Sequence, residues 1–291
     1  MSDIVNLLLA GLATGAIYAL VAIGFTLLWK TSQTINFAQG EFVMLPAFFA
    51  LAALNLHAPL WGALLVGLGA AMLVLGLLFK CAVVDPMLKH GVLPLAICTM
   101  ALSIFLKESV KQSYSAEAQP FPSFLPGGNV SLLGAQISIQ SLSILAFAIL
   151  VVVVLQAFLT RTSTGRQMQA TAQNPSVARL LGIPIERMIL YTFLINATLV
   201  ALASFLVSPV YLAKFSAGDT LGLSAFIAAI VGGFNQIPGA IAGGLLLGVI
   251  DNFAAAYVST QYRGAVPLFL LVIVILFRPQ GLFGSAEERL V

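Results

Sequence analysis

Few residues in this chain carry groups that could do chemistry, and most of them stand between long apolar stretches. Charged residues make up only 8% of the 291 positions, and one concentrated polar run, TSQTINFAQGE, occupies residues 31–41. A second acidic group, Asp251, interrupts the otherwise uncharged residues 239–257. Amide and carboxylate groups bind polar solutes, but a nucleophile also needs a nearby base to activate it. The pattern therefore favours binding or passage of a solute over covalent catalysis.

The motifs of the common enzyme classes do not occur in the sequence. It contains no GxxxxGK[ST] phosphate loop, no HExxH, no GxSxG and no Cys/His cluster with metal-ligand spacing. His57 and His90 are isolated, so we interpret them as solvated, and Cys81 and Cys98 as small packing residues. We expect no metal, no cofactor and no enzymatic activity. A net charge of only +3 also argues against a nucleic-acid-binding surface.

The elements that must position the polar residues are apolar helices. Hydrophobic residues make up 60% of the chain, and the charged fraction lies far below the roughly 25% typical of soluble proteins. This composition predicts an all-α, polytopic integral membrane protein, taken as a single transmembrane domain over residues 1–291. A crossing needs about 20 apolar residues, and we predict eight or nine crossings, some broken or re-entrant. The candidate spans are residues 4–29, 42–54, 58–79, 92–106, 141–159, 188–207, 221–234, 239–257 and 266–277.

The distribution of arginine predicts the orientation of these spans. The loop of residues 160–187 holds four arginines against one acidic residue, and loops rich in Lys and Arg stay on the cytoplasmic side. Counting spans from that loop places residues 107–140 in an extracytoplasmic loop. The same count predicts an extracytoplasmic amino terminus and a cytoplasmic carboxyl terminus.

Residues 31–41 predict a broken second helix. Only 13 apolar residues follow this polar run before Asn55, so the segment crosses fully only if polar residues enter the membrane with it. Irregular backbone at that depth is tolerated where protein or a water-filled cavity satisfies its polar groups. We expect a helical half that begins near residues 39–42, with free N–H groups facing a solute. Asn36, Gln39, Gly40 and Glu41 are therefore assigned to a substrate pathway, although helix capping is an equal alternative for the last.

A second interrupted segment lies in the other half of the chain. Gly232 and Gly233 precede a polar turn, and Pro238 stands where a helix would start. Short broken segments in two halves point to a central transport site, so Pro238, Gly239 and Asp251 join the predicted pathway. A charge at the centre of a span costs about 2.5 to 3.5 kcal/mol, so an aqueous cavity or a partner subunit should compensate Asp251. The alternative for the glycines is close helix packing through GxxxG spacing.

The arginine-rich loop predicts two short helices. Ser163 or Thr164 would cap the first, Asn174 would cap the second, and Gly182 would end it. Helices of two turns are unstable in isolation. We therefore expect them to dock on a cytoplasmic partner, or else to fold back on the ends of their own neighbouring helices.

Four segments together resemble the permease subunits of branched-chain amino-acid ABC transporters of the LivH type. They are INFAQGEFVML at residues 35–45, GRQMQATAQNPSVARLLGI at 165–183, GGFNQIPGAIAGGLLLG at 232–248 and FRPQGLFG at 277–284. The resemblance covers essentially the whole chain in order. It implies a bacterial inner-membrane importer with four kinds of partner: a second homologous permease, two cytoplasmic ATPase subunits, a periplasmic solute-binding protein and the lipid bilayer.

The resemblance also implies a substrate class and a coupling element. Similar permeases carry leucine, isoleucine and valine, other hydrophobic or neutral amino acids, urea or short amides, and no local motif separates these. An ion-coupled secondary transporter or channel is the alternative from a different class. The residues that would meet the ATPase, by resemblance, are Gly165, Arg166, Ala170, Asn174, Ala178, Arg179 and Gly182.

Overall fold

The protein is described by a computed structural model that covers residues 2–123, 128–132, 135–259 and 264–284. In chain order, its elements are α1 (Ser2–Ser32), α2 (Gln39–Asn55), α3 (Leu60–Ala71), two π-helical segments (Met72–Leu78 and Lys80–Val84), α4 (Asp85–Leu88), α5 (Val92–Tyr114), β1 (Asn129–Leu132), β2 (Ala135–Ser138), α6 (Ile139–Arg161), α7 (Ser163–Gln173), α8 (Pro175–Leu180), α9 (Ile185–Tyr211), α10 (Ala217–Gly232), α11 (Ile237–Tyr257) and α12 (Ala265–Phe277).

The predicted all-α membrane architecture is confirmed. Within the described ranges, six helices are long and apolar enough to cross a membrane, and three shorter apolar helices are α2, α10 and α12. One of the six runs unbroken from Leu60 to Leu88, because α3, the π-helical segments and α4 join end to end. These nine helices correspond one to one with the nine candidate spans.

The fourth span is longer than the predicted residues 92–106. Pro94 lies in the first turn of α5, where its missing N–H group costs no hydrogen bond, and the helix continues to Tyr114. Lys107 lies within this helix and forms an ion pair with Asp219 of α10. Residues 107–140 therefore contain the end of α5 and an antiparallel hairpin in which Asn129 pairs with Ser138. The side of the membrane on which they lie stays a prediction.

The described residues cluster into two compact units. One contains the described residues within Met1–Thr26, Leu125–Ile149 and Leu223–Val291, and the other those within Leu27–Phe124 and Leu150–Gly222. Fully buried aliphatic side chains such as Ile17, Leu20 and Leu247 form the core of the first unit.

Aromatic side chains dominate the core of the second unit. The rings of Phe42 and Phe79 meet edge to face with centroids 4.8 Å apart, and Phe79 lies 5.9 Å from Phe193. This cluster joins α2, the π-helical region and α9. It buries large apolar area beside the first turns of α2, and edge-to-face rings add about 0.5 to 1.5 kcal/mol to that burial.

Candidate functional site

The second helix starts where the sequence predicted. α1 ends at Ser32, residues 33–38 are not helical, and α2 begins at Gln39. The end of α1 is closed by its own side chains, since the Ser32 hydroxyl donates to the Leu28 carbonyl at 2.7 Å. By contrast, the residue that precedes α2, Ala38, has no side chain that accepts from the first turn.

Three buried amide side chains surround the start of α2. Gln39 donates from Nε2 to Oδ1 of Asn196 at 2.6 Å, and Asn196 donates from Nδ2 to Oε1 of Gln39 at 3.1 Å. Asn36 donates to the same Gln39 oxygen at 3.4 Å, and its own oxygen accepts from the Ala38 N–H at 3.0 Å. The structure thus brings together Asn36 and Gln39, both predicted, and adds Asn196. Asn196 could have been recognised in the sequence as a single amide within an otherwise apolar span.

The start of α2 lies level with the middle of α9. Gln39 pairs with Asn196, the twelfth residue of α9 (Ile185–Tyr211), and eight residues further along both helices the Ala47 N–H donates to Ser204 Oγ at 3.1 Å. The two helices therefore run parallel. At 1.5 Å per residue, Asn196 stands roughly 17 Å from the start of α9. Irregular backbone thus meets the helix start midway along a full-length span, as expected for a broken helix.

Gly40 lies in a backbone contact between α2 and α10. A Cβ built on Gly218 would come within 2.7 Å of the Gly40 carbonyl carbon, and one built on Gly222 within 2.5 Å of the Gly40 Cα. Real side chains do not tolerate such distances, so the first turn of α2 packs directly on α10 through three glycines. The pathway role of Gly40 stays a prediction.

Glu41 is buried in the first turn of α2. It is only 3% exposed, and it lies near Ser103 of α5 and the ion pair between Lys107 and Asp219. A negative charge is stabilised at the positive end of a helix. Both interpretations of Glu41, as a helix-terminal carboxylate and as a solute contact, fit this position.

In the other unit, the glycine-rich turn between α10 and α11 is a tight packing contact. Pro238 lies in the first turn of α11, as predicted. A Cβ on Gly239 would lie 3.0 Å from the carbonyl carbon of Gly232, and one on Gly243 would lie 2.8 Å from the Gly232 nitrogen. The alternative interpretation of these glycines as close-packing residues is confirmed, and the pathway role of Pro238 and Gly239 stays a prediction.

Asp251 finds a partner within the chain. It is only 3% exposed in α11, and the hydroxyl of Tyr18 in α1 donates to its Oδ2 at 3.1 Å. The neighbouring Asn252 donates to Thr14 Oγ1 at 3.3 Å, so two polar contacts join the same pair of helices. The expected compensation for Asp251 was an aqueous cavity or a partner subunit, and the contact with Tyr18 was not predicted.

The arginine-rich loop folds into the two predicted short helices, with one correction. Asn174 accepts from the Val177 N–H at 3.0 Å and caps α8, and Gly182 ends that segment with φ of +77°. The prediction that Ser163 or Thr164 caps α7 is wrong. Thr162 holds that position and accepts from the Gly165 N–H at 3.0 Å, and the helix begins at Ser163.

Comparison with known proteins decides the family. Residues 7–275 match the family described as "Branched-chain amino acid transport system / permease component". The chain belongs to this family. It is 35% identical to the high-affinity branched-chain amino acid transport system permease protein BraD of Pseudomonas aeruginosa, over 98% of this chain and 97% of that protein. It is also 32% identical to LivH of Escherichia coli, over 97% and 96%, and 26% identical to a probable LivH of Methanocaldococcus jannaschii, over 93% and 90%.

The permease exposes some of its predicted coupling residues and buries others. Arg166, Asn174, Arg179 and Gly182 are exposed, Ala170 is half-buried, and Gly165 and Ala178 are buried. A Cβ on Gly165 would lie 2.6 Å from Leu159 Cα, so this glycine lets α7 fold tightly against the end of α6. The permease also exposes two leucines at the end of α8, Leu180 at 87% and Leu181 at 73%.

The described part of the permease gathers no metal-binding group. Across residues 2–123, 128–132, 135–259 and 264–284, no three His, Cys, Asp or Glu side chains stand close enough to hold an ion. Cys81 is exposed and Cys98 is half-buried, and neither belongs to a disulfide.

Proposed function

We propose that this chain is the membrane-spanning permease subunit of an ATP-binding-cassette importer that carries branched-chain or other hydrophobic and neutral amino acids. One observation carries the proposal beyond family membership: α2 begins halfway along a span, with buried amides and no side-chain cap at its start. The positive end of a helix at that depth suits the carboxylate of an amino acid. The predicted pathway residues Asn36, Gln39, Gly40 and Glu41 all lie within this turn and the residues before it.

The energy for transport would come from separate ATPase subunits. The chain has no phosphate loop, and its loop helices present features that suit a protein partner. Leu180 and Leu181, which follow the exposed Arg179 in sequence, expose large apolar side chains, and Arg166 of α7 is also exposed. Exposed apolar groups rimmed by charge are typical of a protein contact. We infer that α7 and α8 seat in the ATPase, and that the importer contains two ATPase subunits, a second homologous permease and a periplasmic solute-binding protein.

This assignment fixes an orientation for the chain. If residues 160–187 lie in the cytoplasm, the four arginines of that loop obey the positive-inside rule. The five candidate spans before that loop then place the amino terminus outside the cell, and the four after it place the carboxyl terminus inside. Cysteine labelling with a membrane-impermeant reagent tests this, with labelling of Leu180→Cys from outside intact cells as the contrary result.

Transport itself is tested with the assembled importer in proteoliposomes. We expect ATP-dependent uptake of leucine, isoleucine or valine, with urea and acetamide as competitors that have no effect. Uptake that survives ATP depletion and collapses with an ionophore would instead indicate an ion-coupled transporter. Competition by urea or acetamide would instead indicate that the importer carries urea or short amides.

The ATPase contact is tested by two matched substitutions. Leu180→Asn removes an exposed apolar side chain from α8, and Leu56→Asn removes one of similar exposure, 82%, after α2. Burial of a leucine contributes about 1.5 to 3 kcal/mol, which corresponds to a loss of ATPase affinity of roughly tenfold to a hundredfold. We expect this loss for Leu180→Asn alone. Equal affinity for both variants would contradict the assignment.

A further inference from the structure

One helix contacts both the start of α2 and the loop that carries α7 and α8. That helix is α9, and α7 and α8 pack against it. The turn between α8 and α9 is held by backbone hydrogen bonds, from the Ile183 N–H to the Ala178 carbonyl at 3.0 Å and from the Met188 N–H to the Pro184 carbonyl at 3.2 Å. The loop helices and the first turn of α9 therefore form one continuous, hydrogen-bonded segment.

Farther along, α9 holds α2 at two polar points. The first is the reciprocal amide pair between Gln39 and Asn196, in which each side chain both donates and accepts. The second is the contact from the Ala47 N–H to Ser204 Oγ at 3.1 Å, directly after Pro46, the proline inside α2. The two contacts are eight residues apart along α2 and eight residues apart along α9, which is about two helical turns. They therefore lie on one face of each helix.

The amide pair resists separation because it is buried. The side chains of Gln39 and Asn196 have no exposed surface. Pulling them apart would leave buried donors and acceptors unpaired, and each such group carries the full cost of its desolvation. The start of α2 is thus held to α9 more firmly than apolar packing alone would hold it.

We propose that Asn196 is a positioning residue for transport: it fixes the start of α2 to α9, so that displacement of α7 and α8 moves the broken helix. Asn196 acts through Gln39 and needs no contact with the solute. This inference rests on the proposed function, because it assigns the movement of the loop helices to an ATPase. Changing Asn196 should therefore alter the amount of solute transported per ATP hydrolysed.

The experiment uses the assembled importer in proteoliposomes and conservative amide exchanges. Asn196→Gln and Gln39→Asn each keep an amide but change its reach, and the double variant restores the summed length of the pair. The measured quantity is the amount of leucine taken up per ATP hydrolysed. We expect each single variant to lower this ratio by about fivefold to tenfold, the effect of one lost buried hydrogen bond, and the double variant to recover most of it.

The control is Thr198→Ala, which alters a polar residue of α9 whose hydroxyl bonds its own helix at the Leu194 carbonyl. It should leave the ratio unchanged. Ratios within twofold of the unsubstituted importer for both single variants would overturn the inference, and so would a double variant no better than the worse single one. If the unsubstituted importer takes up no amino acid, the proposed function fails and this inference fails with it; normal uptake with unaffected variants overturns this inference alone.

Discussion

The packing of α1 against α11 offers a test in which a single methyl group is added. A Cβ on Gly15 would lie 2.8 Å from both the Gly244 carbonyl oxygen and the Leu245 Cα, whereas ordinary contact begins at 3.4 Å. A Cβ on Gly69, in α3, would meet nothing within 4 Å. The substitutions Gly15→Ala and Gly69→Ala therefore share their helix-propensity change and differ in packing.

The expected loss of stability follows from the difference between the 2.8 Å contact and the 3.4 Å at which ordinary contact begins. Relieving an overlap of about 0.6 Å moves two backbones apart, and overpacking of this kind costs about 1 to 3 kcal/mol. Exchange of glycine for alanine in a helix returns up to about 1 kcal/mol. We expect Gly15→Ala to lower the free energy of unfolding by up to about 2 kcal/mol, and by about 1 to 3 kcal/mol relative to Gly69→Ala. For Gly69→Ala we expect no loss and up to about 1 kcal/mol of gain.

The measurement is the free energy of unfolding of the full chain, from titration with sodium dodecyl sulfate in mixed micelles. Retention of helical circular dichroism at zero denaturant shows that both variants fold. Equal stability of Gly15→Ala and Gly69→Ala would refute the conclusion that the contact between α1 and α11 depends on the absence of a side chain at Gly15.

Two further predictions concern hydrogen bonds. Tyr18→Phe removes a hydroxyl that donates to Asp251, and because a hydrogen bond contributes about 0.5 to 1.5 kcal/mol net, we expect a loss of that size in the same titration; an unchanged free energy would show that this hydrogen bond makes no net contribution. Thr162→Ala removes the cap of α7, worth about 1 kcal/mol, and should speed amide hydrogen exchange in Ser163–Gln173 roughly fivefold, whereas Thr162→Ser should leave it unchanged.

The positions of the helices could be predicted from the sequence because hydropathy and chain breakers act locally. The polar run at residues 31–41 marked the broken helix, and Pro238 marked the start of α11, since both effects depend on neighbouring residues only. The cap of α7 is Thr162, one residue before Ser163, the nearer of the two predicted caps. Adjacent hydroxyl residues have similar capping ability, so local sequence does not separate them.

The partners of the site residues could not be predicted in the same way. Asn196 for Gln39 and Tyr18 for Asp251 are separated from them by 157 and 233 positions. Apolar periodicity does not specify which spans meet. Lone polar residues inside spans were visible as candidates, because each must find a partner at membrane depth, but the pairing depends on tertiary packing.

A helix that begins in mid-span is stable only if its neighbours satisfy the groups it exposes, and this requirement determines what can move. Around α2, Asn36 supplies an acceptor for the Ala38 N–H, Ser204 supplies one for the Ala47 N–H, and Asn196 satisfies Gln39. Two of these three groups belong to α9. Moving α2 away from α9 would break both of these contacts and leave their buried polar groups unpaired, so the path of least cost carries α2 and α9 together.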